Sequence, residues 1–465
     1  MTFVTYRRAV LPGCGLRAGF AALTLSLISQ FAGTAPASAM NIQTVKSPGG
    51  IEAWLVEEHS VPLMALRFAF DGGNSQDPKG KEGVANFITA MMDEGAGDIK
   101  SAQFQERMEE IAMRMSWDDS KDSLYGSFET LTQNRDKSLA LLKLAVEKPR
   151  FDADAVERIR QQLAANLAYS EKDPDKVAAK AWFELAFQGH PYSRSANGSK
   201  ETLASIKAED LHAFHKRTFG KDNLKVVAVG DIDAATLGKL LDDVFGGLPA
   251  KSDLAKVEKT GPVNGGEQKI IEMDVPQSVA VFGLGAMARK DPDFMAAFVI
   301  NHILGGGGFS AKLMEEVREK RGLAYSVYSY IQPFQHASIL SGGVATKNES
   351  MAESLDIIRA ELKKMAEQGP SVDDLDAAKK YLTGSYALRF DTNSKIASQL
   401  LGLLQEGFGT DYVDTRNKII EDITLDDAKR VAKRLLESDG LIVTVVGKPV
   451  NLKPVGAVAT QPKRG

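Results

Sequence analysis

Between Val61 and Phe70 the apolar residues Met64, Leu66, Phe68 and Phe70 recur at every second position, the alternation of a strand with one buried face. The polar stretch before it, Glu57 to Ser60, reads as a turn and predicts a hairpin with a strand over 51–56. The period then changes. Val84, Phe87, Ile88, Met91 and Met92 fall at i, i+3, i+4, i+7 and i+8, the apolar stripe of a helix lying on that sheet. Longer helices are predicted over about 134–148, 153–172 and 176–188, with counterparts over about 347–368, 372–390 and 393–407. Hairpins with a bank of helices on one face predict an α+β sandwich, built twice.

The doubling is visible in the residues. Ile206-Lys-Ala-Glu-Asp210 opens a helical pattern leading to the strand Leu224 to Gly230, and Ile423-Thr-Leu-Asp-Asp427 opens another leading to Leu441 to Gly447, each landmark 217 residues after its partner. Asp77-Pro78 and Asp291-Pro292 introduce helices in the same way at a slightly different offset. A polar stretch from Lys251, with Gly261-Pro262 and Gly265-Gly266, reads as a linker. The expected organisation is therefore 42–250, a linker over 251–267, 268–450, and a tail over 451–465.

Composition changes this picture at the N-terminus. Arg7, Arg8 and Arg17, an apolar run from Ala18 to Ile28, and Ala37-Ser38-Ala39 form the three parts of a cleaved secretory signal over 1–39. The apolar run is shorter than the roughly 20 residues a bilayer span needs, so no membrane anchor is expected after cleavage. The only cysteine, Cys14, lies inside that segment, which leaves the mature chain without a disulfide or a thiolate metal site. Loss of the three arginines moves the formal charge from −4 to −7. With no basic stripe, nucleic acid is not an expected partner.

Gly72-Gly73 through Ala90 resembles the opening of the N-terminal domain of the insulinase/pitrilysin peptidases, whose helix carries His-x-x-Glu-His. In that motif two imidazoles one turn apart share a zinc ion and the glutamate activates its water. The corresponding residues here are Asn86, Thr89 and Ala90, and the family's third ligand, a glutamate, would fall near Asn166 or Leu167. No zinc is therefore expected in this chain. His212 and His215, one turn apart, lack a third ligand and read as ordinary helix side chains.

A second match is long and intact. Ile303 to Val327, with Gly305 to Gly308, Glu315-Glu316-Val317-Arg318 and Leu323-Ala324-Tyr325, is similar to the hallmark of the same family's C-terminal domain. The resemblance implies that Arg318 and Tyr325 reach a zinc site across the substrate chamber, the phenol donating to the oxyanion of the attacked carbonyl and the guanidinium holding substrate carbonyls. The competing reading is that Arg318 pairs with Glu315 or Glu316 on its own helix and Tyr325 packs at a strand start. The four glycines lack the Lys-Ser/Thr of a phosphate-binding loop and read as a flexible turn.

Together these residues resemble one subunit of a divided peptidase. The resemblance implies two domains of the mitochondrial-processing-peptidase type, each a mainly antiparallel sheet covered by helices, and a periplasmic location. It also implies a homologous partner carrying His-x-x-Glu-His and the zinc, and an unfolded peptide substrate. The alternative is an inactive peptide-binding or scaffold protein.

Overall fold

The computed structural model describes residues 40–437 and 440–456; the expected signal segment lies outside them. From Asn41 onward the chain is one compact α+β unit containing two large sheets. The first sheet uses β1 (Gln43–Lys46), β2 (Glu52–Glu57) and β3 (Leu63–Asp71). A two-residue hairpin, β4 (Gly95–Ala96) and β5 (Ile99–Lys100), stands apart from it. The first sheet is completed by β6 (Arg114–Asp119), β7 (Ser123–Leu131) and β8 (Leu224–Gly230). The second contains β9 (Gln268–Glu272), β10 (Gln277–Gly285), β11 (Ala324–Pro333), β12 (Ser338–Lys347) and β13 (Ile442–Gly447).

The strand orders are β1-β2-β8-β3-β7-β6 and β11-β12-β10-β13-β9. Read from the β6 and β11 edges they coincide, with β1 added only to the first sheet. In each, the last strand of the repeat runs antiparallel to the central strand and parallel to the strand on its other side. The repeat seen in sequence also keeps its local chemistry. Asp210 accepts from Lys207 N at 2.8 Å, and Asp427 from Thr424 N at 3.2 Å, each capping the helix that precedes the last strand. Both strands end in a glycine at positive φ, Gly230 at 129° and Gly447 at 140°.

Two expectations fail for one reason, long-range packing. The hairpin between residues 51–56 and 61–70 does not form, because β8 inserts between β2 and β3 and pairs with both. Nor is β3 buried on one side only. Met64, Leu66, Phe68 and Phe70 face the first core, but Ala65 and Ala69 are equally buried. Their face is covered by the helix Asn393–Gln405, which belongs to the second repeat and lies on β3 and β8. The helix Pro174–Ala186 of the first repeat lies in turn on β10 and β13. The two halves have thus exchanged equivalent helices.

This exchange is well tied. Trp182, fully buried, donates from Nε1 to Ile442 O at 3.2 Å, and Thr444 donates to Ala178 O at 2.8 Å. A Cβ on Gly283 would lie 2.6 Å from the Trp182 ring, so glycine lets the indole reach β10. On the other side Arg67 pairs with Glu129 at 2.7 Å and donates to Ser398 at 3.3 Å. Tyr192 OH donates to buried Asp122 at 2.6 Å, which also accepts from Gln335 N at 3.0 Å. The stretch 251–267 is bound down as well: Thr260 N donates to His336 O at 2.7 Å and Val263 N to Ala186 O at 2.7 Å.

Candidate functional site

The first candidate group sits on the helix Val84–Thr89. Gly83 starts it at φ 100°, and buried Asp77 accepts from Gly83 N at 2.7 Å and Ala85 N at 2.9 Å. Burial raises the Asp77 carboxyl to about 7, against the pull of those two donors. The apolar stripe is fully inside: Val84, Phe87, Ile88, Met91 and Met92 are all buried. Asn86 therefore points away from the core and donates to Asp119 at 3.1 Å, which also accepts from Asn74 at 3.0 Å. Thr89 Oγ1 donates back to Asn86 O at 2.8 Å, and Ala90 offers a methyl.

Opposite lies the helix Ala153–Ser170, where Leu167 is buried and Asn166 exposed. Of the two register choices, Asn166 is the one that shares a cleft with Asn86. That cleft measures about 550 Å³ and is also lined by Ser170, Asp173, Lys176 and Asn197. The side chains at the motif positions do not suit zinc, which takes imidazole, thiolate or carboxylate. Two amides, a hydroxyl committed to the backbone and a methyl stand at the motif positions. The nearby Asp119 carboxylate is occupied by two amide donors, and burial pushes its pKa up. Among the described residues no group of three or more His, Cys, Asp or Glu side chains is placed to hold a metal.

The second group is built at the free edge of the other sheet. Arg318 lies on a π-helix, Met314–Glu319, whose end is closed by Leu323 N donating to Val317 O at 3.0 Å and by Gly322, at φ 63°, donating from N to Arg318 O at 2.8 Å. The register of β11 against β12 then slips between Ala324 and Ser326, leaving Tyr325 as the extra residue of a bulge. Bulges turn a side chain out of the pleat, and Tyr325 is 83% exposed, its hydroxyl without a partner among the described residues.

The acids on the Arg318 helix are engaged elsewhere. Glu315 pairs with Lys320 at 2.9 Å, and Glu316 with Lys320 at 2.6 Å and Arg321 at 2.7 Å. The Arg318 side chain makes no ion pair or hydrogen bond among the described residues. Its guanidinium carbon lies 4.6 Å from the Phe309 ring centre and 5.1 Å from that of Tyr325. Neither part of the competing reading holds, since Arg318 is not tied to Glu315 or Glu316 and Tyr325 is not packed. The structure brings Arg318 and Tyr325 together, and Asn86 with Asn166. No hydrogen bond, ion pair or ring contact joins the two groups among the described residues.

The glycine run is less flexible than the sequence suggested. A Cβ on Gly305 would lie 2.6 Å from Ser329 N of β11, so this glycine is a close approach of loop to strand. The histidines are structural. His215 is within 2.8 Å of Val146 O, and burial lowers its pKa to about 4, while His212 stands 4.8 Å from the Phe151 ring. Phe309 lies inside the same motif as Arg318, and its role is not visible in sequence, because an apolar residue in a glycine loop carries no chemical signal of its own.

Residues 54–200 match the family model described as insulinase (peptidase family M16), and residues 205–382 match the model described as peptidase M16 inactive domain. The chain belongs to the insulinase family, peptidase M16. Within this family it is similar to a "non-peptidase homolog", YmxG of Helicobacter pylori, with 27% identity over 391 residues, 84% of this chain and 90% of the relative. It is also similar to an uncharacterized zinc protease of Mycobacterium tuberculosis, with 25% identity over 405 residues, 86% of this chain and 92% of that one.

Among solved structures, a peptidase M16 inactive domain from Pseudomonas fluorescens superposes with a TM-score of 0.83 at 29% identity, covering 89% of this chain and 100% of that one. A Helicobacter pylori protease gives a TM-score of 0.80 at 19% identity over 88% and 99% of the two chains, a likeness of fold. The α+β architecture with a doubled sheet is thus the insulinase fold. Asn86, Thr89 and Ala90 lie inside the first matched segment; Arg318 and Tyr325 lie inside the second.

Proposed function

We propose that this chain is the zinc-less subunit of a two-subunit M16 peptidase, supplying Arg318 and Tyr325 to a zinc centre held by a homologous partner that carries His-x-x-Glu-His. The observation that carries this reading is the state of Arg318. A half-buried guanidinium with no acceptor, beside an exposed phenol on a bulged edge strand, is a pair of donors without a protein partner. Leaving such donors unmet is costly unless water or a ligand meets them. The side chains at Asn86, Thr89 and Ala90, none of them a zinc ligand, support a reading in which the partner holds the metal.

In such a complex Arg318 binds backbone carbonyls of an extended peptide, its planar N–H fork matching carbonyl acceptors. Tyr325 donates its phenolic proton in a hydrogen bond to the carbonyl oxygen as negative charge develops there, favouring the transition state over the ground state. When bound by the partner, zinc would supply the polarised water. The free edge of β11 offers N–H and C=O groups along which an unfolded peptide adds as a strand. Export by the N-terminal signal would place this chemistry in the periplasm.

The test is reconstitution of the purified chain with its zinc-bearing homologue on an unstructured peptide. Turnover requires both subunits, and Tyr325→Phe lowers kcat by roughly 10²-fold or more, the scale of one lost oxyanion donor. If Tyr325→Phe and Arg318→Ala leave turnover unchanged, the chain is a peptide-binding or scaffold subunit instead.

A further inference from the structure

Phe309 is 66% exposed, an aromatic ring that serves no core and belongs to no aromatic pair among the described residues. Its contact with the Arg318 guanidinium, at 4.6 Å, gives it a task. We infer that Phe309 is a positioning residue for Arg318: with Tyr325 it holds the guanidinium by its π faces in place of an ion pair, so that the N–H donors stay free for substrate carbonyls. The inference rests on the role proposed above for Arg318 as a substrate-binding group.

Three features of the loop support it. Gly308, at φ 61°, turns the chain into the short 3-10 segment Gly308–Ser310, which is closed by Ser310 Oγ donating to Gly307 O at 2.9 Å. That loop is anchored on β11. Asn301 and Ser329 share a buried hydrogen bond of 2.8 Å, and Gly305 lies against the Ser329 backbone. The strand that carries Tyr325 therefore also fixes the loop that presents Phe309, and both rings keep a set distance from Arg318.

The charges around Arg318 act in the same direction. Glu315 and Glu316 are three and two residues before it, near enough to capture a guanidinium, yet Lys320, Arg321 and Lys312 engage them. Cation–π attraction is weaker and less directional than a bidentate ion pair, so it orients the group without consuming its donors. A ring holds arginine in place while leaving every N–H available.

The decisive experiment has a spectroscopic arm and a kinetic arm. In the isolated, full-length mature chain with isotope-labelled arginine, the Arg318 side-chain resonances, assigned by their loss in Arg318→Lys, should be displaced upfield by the neighbouring rings. Phe309→Leu should remove a large part of that displacement, and Phe309→Tyr should keep it. In the reconstituted two-subunit enzyme, Phe309→Leu should lower kcat/KM by roughly fivefold, the scale of one cation–π contact, mostly through KM. Phe309→Tyr should restore it, and Phe309→Leu should cost nothing further in an Arg318→Ala background.

An Arg318 resonance unmoved by Phe309→Leu overturns the inference, whether or not any complex is active. A Phe309→Leu loss that persists in full in the Arg318→Ala background also overturns it, since Phe309 would then act on substrate directly. A complex that never cleaves peptide defeats the proposed peptidase role, and the resonance then decides the inference alone.

Discussion

The edge strands β6 and β11 occupy the same place in two sheets of the same order, and they are prepared differently. Before β6 stands a regular helix, Ser101–Glu110, followed by a turn at Ala112 with φ 51°, and β6 pairs with β7 without a slip. Before β11 stands a π-helix, and β11 begins with a bulge. The first arrangement brings Asp119 to the helix that bears Asn86, closing a network of amides and one carboxylate. The second turns an arginine and a tyrosine outward with nothing to bind. One scaffold thus carries a site whose carboxylate is met by two amide donors and another whose donors are unmet, and the irregularities mark the latter.

The strongest way to break the comparison is to detach the halves from each other. Trp182→Ala removes a fully buried indole and its bond to Ile442, and should destabilise the chain by about 3–5 kcal/mol in denaturant titration. A loss confined to the first sheet, read by hydrogen exchange, would show that the exchanged helices do not couple the halves.

The first site is sharpened by rebuilding it. Asn86→His, Thr89→Glu and Ala90→His restore two ligands and a base, but Asn166→Glu is needed for the third ligand. The fourfold variant should retain about one zinc per chain by elemental analysis, and the threefold variant much less. Equal zinc in both would mean that Asn166 does not face the rebuilt pair.

The second site is sharpened by freeing its acids. Lys320→Met removes the shorter of the two lysine contacts of Glu315 and one of the two cationic partners of Glu316, so Arg318 should be drawn toward them. Peptide turnover in the reconstituted enzyme should fall by roughly twofold to fivefold, comparable with recruiting one surface ion pair. Unchanged turnover would show that the rings alone hold Arg318.

A separate handle on the first repeat is His215, which is held neutral by burial with a pKa lowered to about 4. Because the unfolded chain takes up this proton near pH 6.5, its contribution to stability is present above that value and is lost as pH falls toward 4. The loss amounts to roughly 2–3 kcal/mol. Denaturation of His215→Gln at pH 7.5 and 4.5 should show a shallower pH dependence than the unaltered chain.

Much of this was legible in the residues. The shared 217-residue spacing, the apolar stripe from Val84 to Met92 and the departures at Asn86, Thr89 and Ala90 are local patterns, and the structure places the repeat and the stripe as expected. What escaped was non-local. The apolar side chains on the helices Pro174–Ala186 and Asn393–Gln405 show that each packs on something, and periodicity cannot say that it is the other repeat's sheet. The parallel pairing of β2 with β8 spans most of the first repeat, beyond the reach of a turn signal. The role inferred for Phe309 depends on where Arg318 sits, and no spacing rule contains that.

In the proposed division of labour this polypeptide brings donors and a homologous partner brings the metal. Zinc content and peptide cleavage, measured on the purified mature chain before and after mixing with its zinc-bearing homologue, test that division directly. The predicted result is no stoichiometric zinc and no cleavage by the chain alone, with both present in the mixture. Stoichiometric zinc on the isolated chain, together with unaided cleavage, would contradict it.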